Sequence, residues 1–291
     1  MGEIMEKVKK AVILAAGFGT RFMPYCKAVP KCMMPILDTP TIEVMCNECL
    51  QAGIKDILIV VGANEEVVKN HFKKNIQLEQ RLADKPEILE QVRRSERYNV
   101  SFVTQTEING TAGATMLAKN FVGDEPFLLV FADDVMRAPN KNVSEQVIDA
   151  YNKTGKSVLA VNAVTMDEIV RYSSVEFSGH DGNVYDVTRI VEKPKREDVK
   201  SLFSTLGRYV LTNEIFDKID KITNVRNGEK YLTDAFDMLA KENRLIACDF
   251  EGKHYDTGNK FAYLKTIVEF GLNDAEYDKD FREYLDNLIK K

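Results

Sequence analysis

Four short apolar runs, set apart by helical stretches, constrain this chain more than anything else in it. They are Ala11–Ala16 (AVILAA), Asp56–Val61 (DILIVV), Val100–Thr104 (VSFVT) and Phe127–Phe131 (FLLVF). Each is too short for a buried helix and too apolar to face water on either side, which predicts parallel strands covered on both faces. Between them, Thr39-Pro40-Thr41 opens a helix that runs to about Ala52 and stops at Gly53. Glu65–Phe72 reads as a second helix, the amphipathic segment 75–97 as one or two more, and Ala112–Ala118 as a short one. Strand and helix in alternation predict an α/β fold with a doubly wound, mostly parallel sheet. Ligands of such sheets bind beyond the carboxyl ends of the strands. Gly17, Gln105 and Asp133 all fall there.

From about Ser157 the pattern changes. Strand-like runs at Ser157–Thr165, Ser174–Phe177, Val184–Val191 and Arg208–Leu211 follow closely on one another, which predicts a mixed or antiparallel extension of the sheet. Helices are expected at Asn213–Ile219, Leu232–Lys241 and Asn259–Leu272, with a strand at Leu245–Phe250. A charged amphipathic helix over 277–291 ends the chain, expected to cover the body or to meet a partner subunit. There is no linker, repeat or low-complexity segment, so residues 1–291 read as one domain with halves at 1–140 and 141–272 and a terminal helix at 273–291. A homo-oligomer, dimer or tetramer, is expected.

Of the 291 residues, 44% are hydrophobic and 29% charged, enough apolar material for a large core. The net charge of −5 gives no general basic field, which argues against a nucleic-acid partner. No apolar run approaches the roughly 18 residues of a membrane span. The charged start MGEIMEKVKK does not resemble a secretory leader, so the cytoplasm is the expected compartment. Five cysteines, an odd number, suggest free thiols. Cys46-Asn47-Glu48-Cys49 has C-x-x-C spacing, but it lies inside a predicted helix, which disfavours a zinc or redox site. His71, His180 and His254 are far apart and form no metal motif.

The first strand ends in the small residues Ala15 and Ala16 and leads into Gly17, Gly19, Thr20 and Arg21, then Lys27 and Lys31 among three prolines. Small residues let a ligand reach the main chain, and free N–H groups in such a loop attract phosphate oxygens. Three cations in the same loop suit a nucleoside triphosphate. The spacing is not that of a P-loop, and the third glycine of a dinucleotide-binding turn is replaced by Phe22.

The whole block, G-x-G-T-R-x-x-P-x-x-K-x-x-P-K-x-x-x-P, resembles the signature of sugar-1-phosphate nucleotidylyltransferases, and most closely that of the bacterial UTP–glucose-1-phosphate uridylyltransferases. The resemblance extends from about Lys10 to Leu272. It implies a Rossmann-like nucleotidyltransferase fold that uses Mg²⁺ to join UTP and glucose 1-phosphate, giving UDP-glucose and pyrophosphate. It further implies that Arg21 and Lys31 act on the triphosphate and the transition state. Ala15, Ala16, Gly17, Gly19, Thr20 and Lys27 would bind the nucleotide, and Gln105 and Gly110 would read the base. Asp133 in VFADDV and Asp256 in HYDTGN match the metal aspartates. Glu192 and Lys193 in VEKP match the site for the sugar and its phosphate. GRYVLT (207–212) and LTDAF (232–236) match walls of the sugar pocket. The sequence departs from the pattern at Tyr25-Cys26, Cys32, Thr111–Ala114 and Ser173. These departures leave two alternatives open. One is another nucleotide (dTTP) or another hexose 1-phosphate; the other is a catalytically weak protein that binds nucleotide sugars.

Overall fold

The structure is a computed structural model that describes residues 6–62 and 64–290; half of the charged start on which the leader expectation rests, residues 1–5, lies outside that range. In chain order the strands are β1 (Lys10–Ala15), β2 (Pro35–Ile36), β3 (Thr39–Pro40), β4 (Asp56–Val61), β5 (Asn99–Thr104), β6 (Phe127–Phe131), β7 (Asp134–Arg137), β8 (Ser157–Ala163), β9 (Ser173–Asp181), β10 (Val184–Glu192), β11 (Phe203–Leu211), β12 (Leu245–Asp249) and β13 (Lys253–Asp256). Nine of them form one sheet in the order β5-β4-β1-β6-β11-β8-β12-β10-β9.

The apolar runs become central strands because both sheet faces are covered. Successive side chains of a strand point to opposite faces. Ile13 accordingly joins Ile57, Ile59, Leu128 and Val130 in one core, and Val12 joins Leu58, Val60, Phe127 and Leu129 in the other. Helix Thr41–Gln51 packs on the first face, and helices Gly110–Met116 and Leu232–Lys241 on the second. β5, β4, β1 and β6 are mutually parallel. Strand order reverses between β1 and β6, and there the loops that follow the two strands part and leave a crevice.

The second half extends the sheet as expected, with one feature that the sequence did not announce. β11 runs antiparallel between β6 and β8 and so joins the two halves directly. β12 is parallel to β8, and the β9–β10 hairpin closes the edge. The run expected at 208–211 reaches back to Phe203, and its register slips between Thr205 and Tyr209 where Gly207 lies. The run expected at 174–177 continues to Asp181 and turns at Gly182. The amphipathic segment 75–97 divides into helices Ile76–Arg81 and Pro86–Arg93 and a 3₁₀ turn. The tail helix, Asp278–Ile289, lays Phe281 against Gly271 of the preceding helix. No helix among the described residues is long and apolar enough to cross a membrane.

Two buried links hold the floor of the crevice. Arg208 on β11 is fully buried and pairs with Glu48 of helix Thr41–Gln51 at 2.7 Å. Ser144 donates both its N–H and its hydroxyl to the same carboxylate. Burial opposes the charge on Glu48, but the Arg208 guanidinium outweighs it and holds the carboxyl below its usual range. The second link is the antiparallel pair β7–β13, in which Asp134 faces Asp256. Asp134 opens β7, where its carboxylate accepts from the Gly207 N–H and pairs with His254 at 2.7 Å.

Candidate active site

The loop after β1 winds through three short 3₁₀ turns, Thr20–Phe22, Tyr25–Lys27 and Lys31–Met33. Gly19 sits at φ +62°, and a Cβ there would lie 2.6 Å from the Cys26 sulfur, so only glycine fits. Cys26 and Cys32 are buried beneath the loop. The loop lines a cavity of about 260 Å³ with Ala15, Gly17, Gly19, Thr20, Arg21 and Lys31. Lys27 departs from the expected set: it lies exposed on the second turn and lines none of the cavities of this crevice. The spacing of a loop lysine does not fix its direction, and here the turn carries it outward.

Two further cavities adjoin the first. One of about 230 Å³ is lined by Ala16, Gly17, Gln105, Gly110 and Thr111. Gln105 is buried, and its Nε2 donates to Asn109 Oδ1 at 2.9 Å. Gly110 adopts φ +90° hard against the Lys230 main chain, and Gly113 lies against the Asn109 side chain, so a side chain at either would disturb this wall. The larger cavity, about 490 Å³, is lined by Arg21, Tyr172, Glu192, Lys193, Tyr231 and Asp256, with Leu206, Gly207, Tyr209, Thr233 and Phe236 behind them. The walls expected from GRYVLT and LTDAF are thus in contact with the space occupied by Glu192 and Lys193. Asp133 lines all three cavities.

Asp133 lies just past the end of β6 and faces Lys31, whose Nζ lies 2.6 Å from its Oδ2. Crowding by neighbouring atoms works against the Asp133 charge, and the Lys31 ammonium overcomes it, leaving the carboxyl below its usual range. The side chain remains 46% exposed into the cavities. Asp256 Oδ1 accepts the Gly258 N–H at 2.6 Å, and its Oδ2 accepts from Asn259 Nδ2 at 2.8 Å and from the Tyr172 hydroxyl at 3.1 Å. Asn259 also caps helix Lys260–Gly271. The two aspartates meet at Gly258: a Cβ on it would lie 2.5 Å from Asp256 Oδ1 and 3.5 Å from Asp133 Oδ2, so these oxygens are within about 6 Å of each other. Thr257 fastens the turn to β6, donating its N–H and hydroxyl to the Asp133 carbonyl. Arg21 reaches the same turn through the Gly258 carbonyl at 3.4 Å.

On the opposite wall, Glu192 is 13% exposed; burial raises its carboxyl above the usual range, with Lys193 and the Thr233 hydroxyl offsetting part of this. Lys193 has φ +45°, uncommon for a residue with a side chain, and its ammonium lies 4.8 Å from the centre of the Tyr231 ring. Ser173, a departure from the family pattern, turns its hydroxyl to Thr205 Oγ1 at 2.9 Å.

The sequence reading missed Tyr172, Thr257, Tyr231 and Asn259. Thr257 lies within the D-T-G turn and Asn259 directly follows it, so their place beside Asp256 was the one available signal. All five cysteines are free and buried. Cys46 and Cys49 face the core, and burial pushes their thiols up, Cys49 to about 12.

The model of the nucleotidyl transferase family matches residues 10–270. The UTP–glucose-1-phosphate uridylyltransferase of Staphylococcus epidermidis is 39% identical over 287 residues, 98% of this chain and 99% of that protein. A UTP-bound UGPase from Acinetobacter baumannii is similar with a TM-score of 0.87 at 29% identity, covering 96% of this chain and 98% of that one. A UDP-glucose pyrophosphorylase complexed with UDP-glucose is similar with a TM-score of 0.83 at 31% identity, covering 92% of this chain and all of that one. The nine-stranded sheet, the crevice at its point of reversal and these likenesses agree: the chain belongs to the nucleotidyl transferase family, in the branch of the UTP–glucose-1-phosphate uridylyltransferases.

Proposed function

We propose that the chain joins UTP to glucose 1-phosphate, giving UDP-glucose and pyrophosphate. The observation that carries this is the place of Asp133, on the wall of all three cavities at once. The cavity after β1 takes the triphosphate, the Gln105–Gly110 cavity the base, and the large cavity the hexose phosphate. A phosphate oxygen of the sugar attacks the α-phosphorus, the bond to the β-phosphate oxygen breaks, and pyrophosphate leaves. The attacking oxygen is already anionic, so the site must align two polyanions and neutralise their charge rather than remove a proton. Arg21 and Lys31 do this on the triphosphate side and Lys193 on the sugar side, while Glu192 accepts hydrogen bonds from sugar hydroxyls. Lys27 assists only if the second turn moves inward when nucleotide binds.

Asp133 and Asp256 fit a Mg²⁺ ion. Their oxygens are within about 6 Å, and three of the roughly four acceptor directions of Asp256 are taken, which leaves one. Among the described residues no group of three or more His, Cys, Asp and Glu could hold a metal. Mg²⁺ is commonly held by one or two carboxylates and completed by phosphate and water. Held by Asp133 and Asp256, Mg²⁺ would offset the negative charge of the phosphates. We further place the protein in the cytoplasm as a homo-oligomer, dimer or tetramer, which light scattering would measure.

Pyrophosphate release over a panel of nucleoside triphosphates and hexose 1-phosphates tests the proposal. The highest kcat/KM is expected for UTP with glucose 1-phosphate. Preference for dTTP, or tight UDP-glucose binding without turnover by any pair, would overturn it.

A further inference from the structure

We propose that Tyr172 is a positioning residue that anchors the Asp256 carboxylate to the end of the β9–β10 hairpin carrying Lys193. The proposal rests on Asp256 being a metal carboxylate. Three donors reach Asp256. Two of them, Gly258 N–H and Asn259 Nδ2, belong to its own turn and move with it. The third, the Tyr172 hydroxyl, comes from 84 residues away. Tyr172 is therefore the one contact among the described hydrogen bonds of this carboxylate that fixes its direction relative to the rest of the crevice.

The other end of Tyr172 is equally committed. It precedes β9, and Lys193 follows β10, at the open end of the hairpin where Ser173 pairs with Glu192. Its carbonyl accepts the Lys193 N–H at 2.7 Å and so holds a residue whose φ of +45° needs support. The adjoining Ser173 hydroxyl fastens the strand to Thr205 on β11. One residue thus joins the Asp256 carboxylate to Lys193 across the wall of the large cavity that both line. Partners behind a metal ligand commonly change metal affinity 10- to 100-fold when removed.

Tyr172→Phe removes the hydroxyl and keeps both ring and carbonyl. Mn²⁺ alone, titrated into the full-length protein and followed by water-proton relaxation, supplies a readout independent of turnover. Mn²⁺ affinity is expected to fall by about tenfold, with kcat reduced, the KM for glucose 1-phosphate unchanged and the melting temperature kept. Asp256→Asn, measured alongside, separates two kinds of failure. If Asp256→Asn weakens Mn²⁺ binding and Tyr172→Phe does not, the positioning role is wrong. If Asp256→Asn binds Mn²⁺ as the parent does, the metal assignment falls and takes the proposal with it. Proportionate loss of KM, affinity and melting temperature in Tyr172→Phe would mark a general structural role and also overturn it.

Discussion

Lys31 Nζ lies 2.6 Å from Asp133 Oδ2, a contact that draws the loop after β1 onto the end of β6 across the point where strand order reverses. The lysine side chain is only 15% exposed, so its charge is aimed rather than free in solvent. On the proposed function, nucleotide and metal would give Asp133 a second partner and free Lys31 to turn to phosphate. Replacing it leaves the sheet and both cores untouched.

Lys31→Ala is therefore expected to lower kcat about 10²- to 10³-fold, the range for loss of one aimed donor at developing charge. Circular dichroism and thermal melting should remain those of the parent. Undiminished turnover would remove Lys31 from the mechanism.

Asp133→Asn keeps the shape of the side chain and removes its charge. The Mg²⁺ concentration for half-maximal activity should rise by about tenfold, in keeping with the loss of one of two anionic ligands. A Mg²⁺ titration of initial rates measures this, and full activity at low Mg²⁺ would sink the assignment.

Glu192 combines a place on the wall of the large cavity with a carboxyl raised by burial. Because its folded value lies above the ordinary glutamate value of 4.5, its contribution to stability is fully present below pH 4.5 and is lost as pH rises through the folded value. Glu192→Gln removes that dependence. Its melting temperature relative to the parent should improve from pH 4.5 upward, while the KM for glucose 1-phosphate rises at least severalfold. Melting curves across pH 4–8 and steady-state kinetics check the two halves separately.

The Glu48–Arg208 pair gives a prediction about stability alone. Glu48→Ala leaves the guanidinium of a fully buried arginine without its counter-charge and should cost about 3–5 kcal/mol in urea unfolding. Changing both residues to methionine should recover most of the loss. A single-variant cost below about 1 kcal/mol would show that water or another acceptor takes over the guanidinium.

The parts that were legible in the sequence are those whose cause is local. β1, β4, β5 and β6 stood out because strands buried on both faces must be continuously apolar, and their ends fall within one residue of expectation. The glycine loop was legible because its backbone and charge demands are packed into a few positions. What stayed hidden depends on distant pairing. Nothing near Arg208 says that β11 enters between β6 and β8, and HYDTGN read alone is an ordinary turn before a helix. Tyr172 lies in a polar stretch without periodicity, and its partners are 21 and 84 residues away. Lys27 looked equivalent to Lys31, but the direction of a loop side chain depends on the turn that carries it.

Thr257 grips the main chain at Asp133 from 124 residues further along. The carboxylate pair therefore cannot form until the chain as far as Gly258 is available to fold back beside Asp133. Until then the front loop can form beside its own strand, yet it lacks the opposing acid. The crevice thus gains both acids only when segments 124 residues apart have folded onto each other.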